Sequence, residues 1–412
     1  MIRLALAHMI DRPMPVTLNT LLIAFTGALL LTLASLSTHV RERFDRDMAG
    51  IDLVVSAKGS PLQVILSSLF HVDVPTGNIP LEAARKLGKD PLVADAIPIA
   101  VGDRFRGFRV VGTRLAYLSL YQAKASTGSV NIEEEHAVVG AAAARTLGIS
   151  VGQHFAVTHG LAGDGAGAHD AHPLTVSAIL QPTGSVIDRL IVTSLDAVWD
   201  AHGIEAEDHH DNHEDHEDHE DHDDEDHASE DNRPPEVTAL LIRYASPLAA
   251  VQLPQKINAQ TQLMAAVPAY ETARLLSLFG ATGDVARIVT TALAMLGGFA
   301  IFASLWSALE GRETDVALYR LLGAQPRHIF SLLLLEGVLT AIFGALCAWL
   351  IARLCLWRLW SGITSLADSG FSPFVTSPGE AIVLIAIICI GALAALPAAI
   401  KAAHTPLERA LA

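Results

Sequence analysis

The sequence contains only three cysteines, and all three lie in or beside its last apolar segments, at Cys347, Cys355 and Cys389. Free thiols in such places behave as small hydrophobic side chains. The long middle region therefore has no disulfide framework. A domain of roughly 240 residues buries enough apolar surface to fold without cross-links.

Charged residues are also scarce, at 17% of the chain, whereas hydrophobic residues make up 51% and the mean hydropathy is +0.39. This composition is typical of a membrane protein. The net charge of −16 comes from residues 205–231, which hold 16 acidic residues and no Lys or Arg. The other 28 acidic residues match the 28 Lys and Arg, which excludes a broad basic surface for nucleic acid.

Motifs for nucleotide binding and for catalysis are absent. The sequence has no G-x-x-x-x-G-K-[ST] phosphate loop, no G-x-S-x-G and no H-E-x-x-H. We therefore expect a membrane subunit that is not an enzyme, has no intrinsic cofactor and does not bind ATP itself.

Long apolar runs divide the chain, and each is long enough to cross a hydrocarbon core of about 30 Å. The uncharged run that begins at residue 13 exceeds the apolar core of about 7–15 residues in a signal peptide, so an uncleaved anchor is favoured over a cleaved signal. The predicted order is an interfacial cytoplasmic helix (1–16), span 1 (17–37), an extracytoplasmic domain with stalks (38–283), span 2 (284–308), a cytoplasmic connection (309–328), span 3 (329–354), an extracytoplasmic loop (355–380), span 4 (381–400) and a cytoplasmic tail (401–412).

Basic residues in short segments set the orientation, because cytoplasmic loops carry an excess of Lys and Arg. The segments expected in the cytoplasm contain Arg3, Arg12, Arg312, Arg320, Arg327, Lys401 and Arg409. Arg353 and Arg358 oppose this orientation, since they place positive charge at the outer end of span 3. Both chain ends are nevertheless predicted to be cytoplasmic.

The domain between spans 1 and 2 alternates strand-like with helix-like runs, which predicts an α+β fold. The strand-like runs are 51–56, 108–113, 154–159, 174–180 and 237–244, and the helix-like runs are 80–88 and 141–148. Residues 57–70 contain a Gly-Ser-Pro helix start at positions 59–61 and continue as an almost wholly apolar helix. That helix is either a core element, which we favour, or a lipophilic surface.

The connection between spans 2 and 3 carries apolar residues at helical spacing, at Val316, Leu318, Leu321 and Leu322, followed by Gly323 and Pro326. This pattern predicts a short amphipathic helix on the membrane surface, and a tight solvated turn is the alternative. The segment resembles the coupling region of FtsX-like and MacB-like permeases, the type VII ABC transporters. The matching residues are Glu310, Arg312, Asp315-Val316, Arg320, Leu322-Gly323-Ala324 and Glu336, and the tail resembles the same families at Pro397-Ala398, Lys401, Pro406 and Leu411.

The resemblance implies four transmembrane helices in a 1 + 3 arrangement, with a MacB-like α+β core domain inserted between spans 1 and 2. It also implies an inner-membrane location with the large domain in the periplasm, a separate ABC ATPase subunit, and pairing as a homodimer. The residues implied to couple to the ATPase are Glu310, Arg312, Asp315, Val316, Arg320, Leu321 and Gly323. The run Thr183, Gly184, Asp188, Arg189 resembles a turn in MacB-like core domains.

Glu336 is the one formal charge of residues 329–352. A charge inside a span is a functional candidate. Because Glu336 lies about two turns from the inner end of span 3, a structural and coupling role is favoured over proton carriage.

Residues 205–236 are low-complexity and almost free of apolar side chains, which predicts a disordered loop. Its candidate metal ligands are His209, His210, His213, His216, His219, His222 and His227, most of them beside a carboxylate. Imidazole and carboxylate together suit Zn²⁺ or another divalent metal. A solvated acidic tether without a metal function is the alternative.

The sequence therefore predicts a permease subunit that converts ATP hydrolysis by its partner into movement of its outer domain, termed mechanotransmission. A role in zinc handling, with a periplasmic binding or metal-carrying protein as partner, follows from the histidines. Extraction or export of a lipoprotein or lipophile is an alternative of the same class, and a membrane metal sensor or buffer without transport is an alternative of another class.

Overall fold

The structure, a computed structural model, describes residues 2–11, 13–133, 135–159, 173–202, 234–278, 324–362 and 371–404, with isolated residues between 288 and 303. The chain divides into two units. The helical unit comprises Met1–Glu42, Leu278–Ala367 and Phe371–Ala412, and the α/β unit comprises Arg43–Ser277 and Asp368–Gly370.

Apolar helices form the helical unit: α1 (Ile2–Asp11), α2 (Pro13–Met48), α10 (Pro326–Gly362) and α11 (Pro378–His404). Within the described residues, three segments are long and apolar enough to cross a membrane, at Val16–Met48, Pro326–Gly362 and Gly379–Lys401. They correspond to predicted spans 1, 3 and 4. Predicted span 2 lies largely outside the described residues, although those described between 288 and 303 are helical.

Helix α2 is longer than a membrane span requires. Its 36 residues extend for about 54 Å at a rise of about 1.5 Å per residue, against a hydrocarbon core of about 30 Å. The boundary between the two units falls inside α2, between Glu42 and Arg43. The same helix therefore begins in the helical unit and ends in the α/β unit.

The remaining helices belong to the α/β unit. They are α3 (Pro61–Ser68), α4 (Leu81–Gly88), α5 (Leu115–Leu120), α6 (Ala141–Leu147), α7 (Leu195–Ala201), α8 (Pro247–Gln260) and α9 (Pro268–Leu278), with a 3-10 turn at Val186–Arg189. The strands are β1 (Leu53–Ala57), β2 (Ile79–Pro80), β3 (Val93–Phe105), β4 (Phe108–Thr113), β5 (Ala125–Gly128), β6 (His136–Val139), β7 (His154–Phe155), β8 (Thr158–His159), β9 (Leu174–Leu180), β10 (Leu190–Ser194), β11 (Glu236–Val237), β12 (Ala239–Tyr244) and β13 (Leu263–Ala266).

Eleven of these strands form one mixed sheet in the described part of the chain, in the order β13-β1-β12-β3-β4-β10-β6-β9-β5, with β7 beside β9 and β8 beside β3. The pairs β4–β10 and β6–β9 are parallel, and the other pairs along this path are antiparallel. Strand β3 is 13 residues long and joins the two halves of the sheet: its first part pairs with β12 and its second part with β4.

Helices cover both faces of this sheet, which explains why its strands are nearly continuous apolar runs. Side chains of a strand alternate between faces. Val54 of β1 accordingly joins the core under α3 and α5, while its neighbours Leu53 and Val55 join the core under α4, α7 and α8.

Most of the predicted elements are found. Strands β4 and β9 and helix α6 start where the sequence places them, and the run 154–159 becomes two short strands, β7 and β8. Helix α3 buries Val64 and Ile65 completely, so its interpretation as a core element is confirmed. Within the described residues, the sequence missed helices α5, α7 and α8 and strands β2, β3, β5, β6, β10 and β13, of which β3 is the longest.

Candidate functional site

The predicted coupling residues and metal ligands lie outside the described residues. This holds for Glu310, Arg312, Asp315, Val316, Arg320, Leu321 and Gly323, and for His209, His210, His213, His216, His219, His222 and His227. Their roles stay predictions. Within the described residues, no group of three or more His, Cys, Asp or Glu could hold a metal ion.

Glu336 is described and is buried. Only 3% of its surface is exposed, and it lies on the face of α10 that also buries Leu333, Gly337 and Thr340. The Thr340 hydroxyl donates to the Glu336 carbonyl at 2.9 Å. The residue is thus a buried charge in an apolar helix, as the sequence indicates, and its coupling role stays a prediction.

A second buried charge, Arg353, lies farther along α10 and has an acidic partner. Its Nη2 donates to the Oε2 carboxylate oxygen of Glu380 on α11, and the two side chains are 8% and 4% exposed. The other terminal nitrogen, Nη1, donates to the carbonyls of Pro373 at 2.7 Å and Val375 at 3.2 Å. The guanidinium therefore joins α10, α11 and the segment that precedes α11.

Helix α2 contributes to the same cluster. The Ser35 hydroxyl donates to Oε1 of Glu380, so both oxygens of this carboxylate have donors. One turn later, the His39 ring meets the Phe371 ring edge-on, with 4.7 Å between centroids. We call Ser35, His39, Arg353, Phe371 and Glu380 the charge cluster.

The charge cluster contains Arg353, the arginine that opposes the predicted orientation. Basic residues bias orientation when they lie in short loops, whereas Arg353 is buried within α10 and pairs with Glu380 inside the helical unit. Sequence reasoning noted Arg353 but missed Glu380. The available signal was an acidic residue at the start of one apolar run, paired with a basic residue near the end of the preceding run.

Close helix packing lies beside the charge cluster. A Cβ built on Gly344 of α10 would lie 2.6 Å from Ile23 Cγ2 of α2, and one built on Gly27 of α2 would lie 2.8 Å from the Ala348 Cβ of α10. Small residues at such positions let helix backbones approach closely in a membrane. Helices α2 and α10 are therefore in direct contact along these turns.

The last turns of α2 are anchored in the α/β unit by several separate contacts. The Phe44 ring packs edge-on against Phe70, at 5.2 Å between centroids. Arg46 Nε donates to the Gly184 carbonyl at 3.2 Å, and the Tyr121 hydroxyl donates to the Asp47 carbonyl at 3.0 Å. We call this set the α2 anchor.

One part of the α2 anchor is the turn noted in the sequence at residues 183–189. The buried Asp188 carboxylate accepts hydrogen bonds from the Thr183 backbone nitrogen at 2.9 Å, the Thr183 hydroxyl at 2.8 Å and the Gly184 nitrogen at 2.7 Å. These bonds fix the turn whose Gly184 carbonyl receives Arg46. The sequence motif thus holds the turn in the shape that accepts the end of α2.

His71 and Tyr117 lie buried in the same unit. The Tyr117 hydroxyl lies 3.2 Å from His71 Nε2. Burial, with the charges of Arg109 and Arg189 nearby, lowers the pKa of His71 to about 3, and burial raises the pKa of Tyr117. Both groups are therefore neutral at physiological pH.

Taken together, the described residues combine three helices long and apolar enough to cross a membrane with a separate, large α/β unit. Residues 287–407 match the family described as FtsX-like permease C-terminal. This match confirms the resemblance to FtsX-like permeases that the connection and tail indicate.

Two solved structures are similar to the chain at low identity. The periplasmic region of MacB from Actinobacillus actinomycetemcomitans is 9% identical, with 56% of this chain and 94% of that chain covered and a TM-score of 0.34. The extracellular domain of the noncanonic ABC-type transporter YknZ from Gram-positive bacteria is 11% identical, with 52% and 98% covered and a TM-score of 0.30. No curated protein matches the chain.

Proposed function

We propose that this chain is the membrane subunit of an ABC transporter in the inner membrane, that it works as a homodimer with a separate ATPase, and that it transmits ATPase movement to a periplasmic α/β unit. The observation that carries the proposal is that α2 is one continuous helix held at two places. The charge cluster holds it at Ser35, and the α2 anchor holds it from Phe44 to Asp47.

A helix held in this way transmits displacement because its backbone hydrogen bonds make it stiff along its axis. Ser35 and Phe44 are nine positions apart, and the segment between them is helical. Movement of α10 and α11 that carries Ser35 would therefore also carry Phe44, Arg46 and Asp47. Substrate need not pass between the spans in this mechanism.

The test is a flexible joint between the two holding points. Ser37→Gly with Thr38→Gly costs about 1 kcal/mol of helix stability per position relative to alanine, and neither residue belongs to the charge cluster or the α2 anchor. In protein reconstituted with its ATPase, we expect stimulated hydrolysis to continue while ATP-dependent movement of the α/β unit is lost. Spin labels at Leu354 and Lys124, both exposed, report that movement in a background without native cysteines.

The matched control is Ser37→Ala with Thr38→Ala, which removes the same hydroxyls but keeps a strong helix former. The control should move as the wild-type protein does. Equal ATP-dependent movement in the glycine and alanine variants would contradict transmission through α2.

The histidine-rich segment supports a more specific role, the handling of zinc or another divalent metal, with a periplasmic metal-carrying protein as partner. His213, His216, His219 and His222 recur at every third position among carboxylates. Such a segment offers many combinations of imidazole and carboxylate ligands. Without a metal role, export of a lipoprotein or lipophile is the alternative within the same transporter class.

Calorimetry of the intact protein with Zn²⁺ tests the metal role against a variant that lacks residues 208–226. Imidazole has an ordinary pKa of about 6.5, so protons compete with metal for its nitrogen at about pH 5 and much less at about pH 7. We expect binding at the higher pH, weaker binding at the lower pH, and loss of binding in the deletion. Equal binding by both proteins would refute a role for this segment.

A further inference from the structure

The charge cluster contains more hydrogen bonds than are needed to neutralise one buried arginine. Arg353 is neutralised by Glu380, yet the same guanidinium also donates to the carbonyls of Pro373 and Val375. The second carboxylate oxygen of Glu380 is taken by Ser35 of α2. Three helices and one connecting segment thus meet at a single buried ion pair.

A buried ion pair is weak support for stability, because desolvation of two charges offsets most of their attraction, and apolar pairs of similar size often replace it without loss. Such a pair instead constrains the relative positions of the helices that carry the two charges. A guanidinium and a carboxylate bond well only in a narrow range of positions. The ion pair therefore specifies one arrangement of α10 and α11, and Ser35 attaches α2 to the carboxylate that Arg353 positions.

We propose that Arg353 is a positioning residue that locks α2 to α10 and α11, so that these helices move as one body during transport. The inference deepens the proposed function and rests on it, since locking matters only if α2 transmits movement. It assigns Arg353 and Glu380 to the permease mechanism, whereas the sequence placed coupling only in Glu336 and in the connection between spans 2 and 3.

The chain offers a matched control for Arg353. Arg358 lies five residues later on α10, is exposed, and has its guanidinium 5.8 Å from the Trp357 ring centroid. The Arg353 guanidinium likewise lies near an aromatic ring, 5.6 Å from the Trp349 centroid. The two arginines therefore share a helix and an aromatic neighbour, and differ in burial and in the contact with Glu380.

The test variant replaces both charges, Arg353→Met with Glu380→Met, because removing one partner alone would leave a buried uncompensated charge and endanger folding. The control is Arg358→Met. Spin labels at Ser37 on α2 and Leu354 on α10, both exposed, measure the distance between the two helices. We expect a narrow distance distribution in the wild-type and control proteins and a broad one in the double variant.

Labels at Leu354 and Lys124 then report movement of the α/β unit with the ATPase and ATP present. In the double variant we expect stimulated hydrolysis to continue while the ATP-dependent displacement falls by about fivefold or more. A narrow Ser37–Leu354 distribution together with wild-type displacement in the folded double variant would overturn the positioning role. Absence of displacement in the wild-type protein would instead overturn the proposed function, and the static distance distribution alone would then decide whether Arg353 locks the helices.

Should the double variant fail to fold, the exchange Arg353→Lys keeps the charge but loses the forked geometry. A lysine that supports folding but gives the broad distribution supports positioning. A lysine that gives the narrow distribution and full displacement shows that charge alone suffices, and it contradicts the geometric role.

Discussion

At the scale of single residues, His71 gives the α/β unit a defined response to acid. Its pKa is about 3 in the folded protein because the ring is buried, against about 6.5 when unfolded. Between these two pKa values, His71 is protonated in the unfolded chain and neutral in the folded chain. The free energy of unfolding therefore decreases as the pH falls through that interval. From about pH 7.5 to about pH 5 the loss attributable to His71 is about 2 kcal/mol.

His71→Asn removes this dependence and suits the backbone, because His71 has a φ of 54° and Asn tolerates the left-handed region. Denaturant titration of both proteins at several pH values checks the prediction. The two unfolding free energies should differ by a pH-dependent amount that grows towards acid, and parallel curves would show that His71 is not neutral and buried.

Gly344 is a second residue to consider, because the close approach of α2 limits the size of the side chain at this position. A leucine there would collide with Ile23 of α2, and overpacking of this kind costs about 1–3 kcal/mol. Gly344→Leu should therefore lower the thermal stability of the protein in detergent. Gly362→Leu is the matched control on the same helix, because a Cβ at Gly362 has no neighbour within 4 Å, and an equal loss in both variants would contradict close α2–α10 packing.

At the scale of elements, the connection between spans 2 and 3 carries the predicted ATPase contact. Val316→Asp with Leu321→Asp places two charges on the apolar stripe of the predicted amphipathic helix, where burial against a partner would desolvate them. Stimulated ATP hydrolysis should fall to the basal rate while the protein still inserts in the membrane. Normal stimulation in the double variant would remove the coupling assignment.

At the scale of the whole molecule, the predicted topology places both chain ends in the cytoplasm and the α/β unit outside. Single cysteines at Ser229 and Gln325, in a background where Cys347, Cys355 and Cys389 are replaced by Ala, test it with a membrane-impermeant thiol reagent on intact cells. The cysteine at Ser229 should be labelled and that at Gln325 should be labelled only after lysis. Labelling of the Gln325 position but not of the Ser229 position on intact cells would show the opposite topology.

The sequence by itself determined the elements whose physical cause is local. Length and apolarity are properties of a continuous run, so the three long apolar helices could be read directly. A short apolar run marked β4, a period-two pattern marked β9, and helical patterns marked α4 and α6. The match of residues 287–407 to FtsX-like permeases includes the connection between spans 2 and 3, where the sequence motif lies. Strands β6 and β10 were missed because both are short, and β3 because one strand of 13 residues serves two halves of the sheet and has no single pattern.

Only the tertiary structure decided which distant residues meet. Ser35, Arg353 and Glu380 are far apart in the chain, and no local periodicity links them, since their contact depends on how three helices pack. The same holds for Phe44, Arg46 and Asp47, whose partners Phe70, Gly184 and Tyr121 come from three different places in the α/β unit. Composition fixes that a charge in an apolar helix needs a partner, because burial of an unpaired charge is too costly, but the identity of that partner is a property of the folded chain.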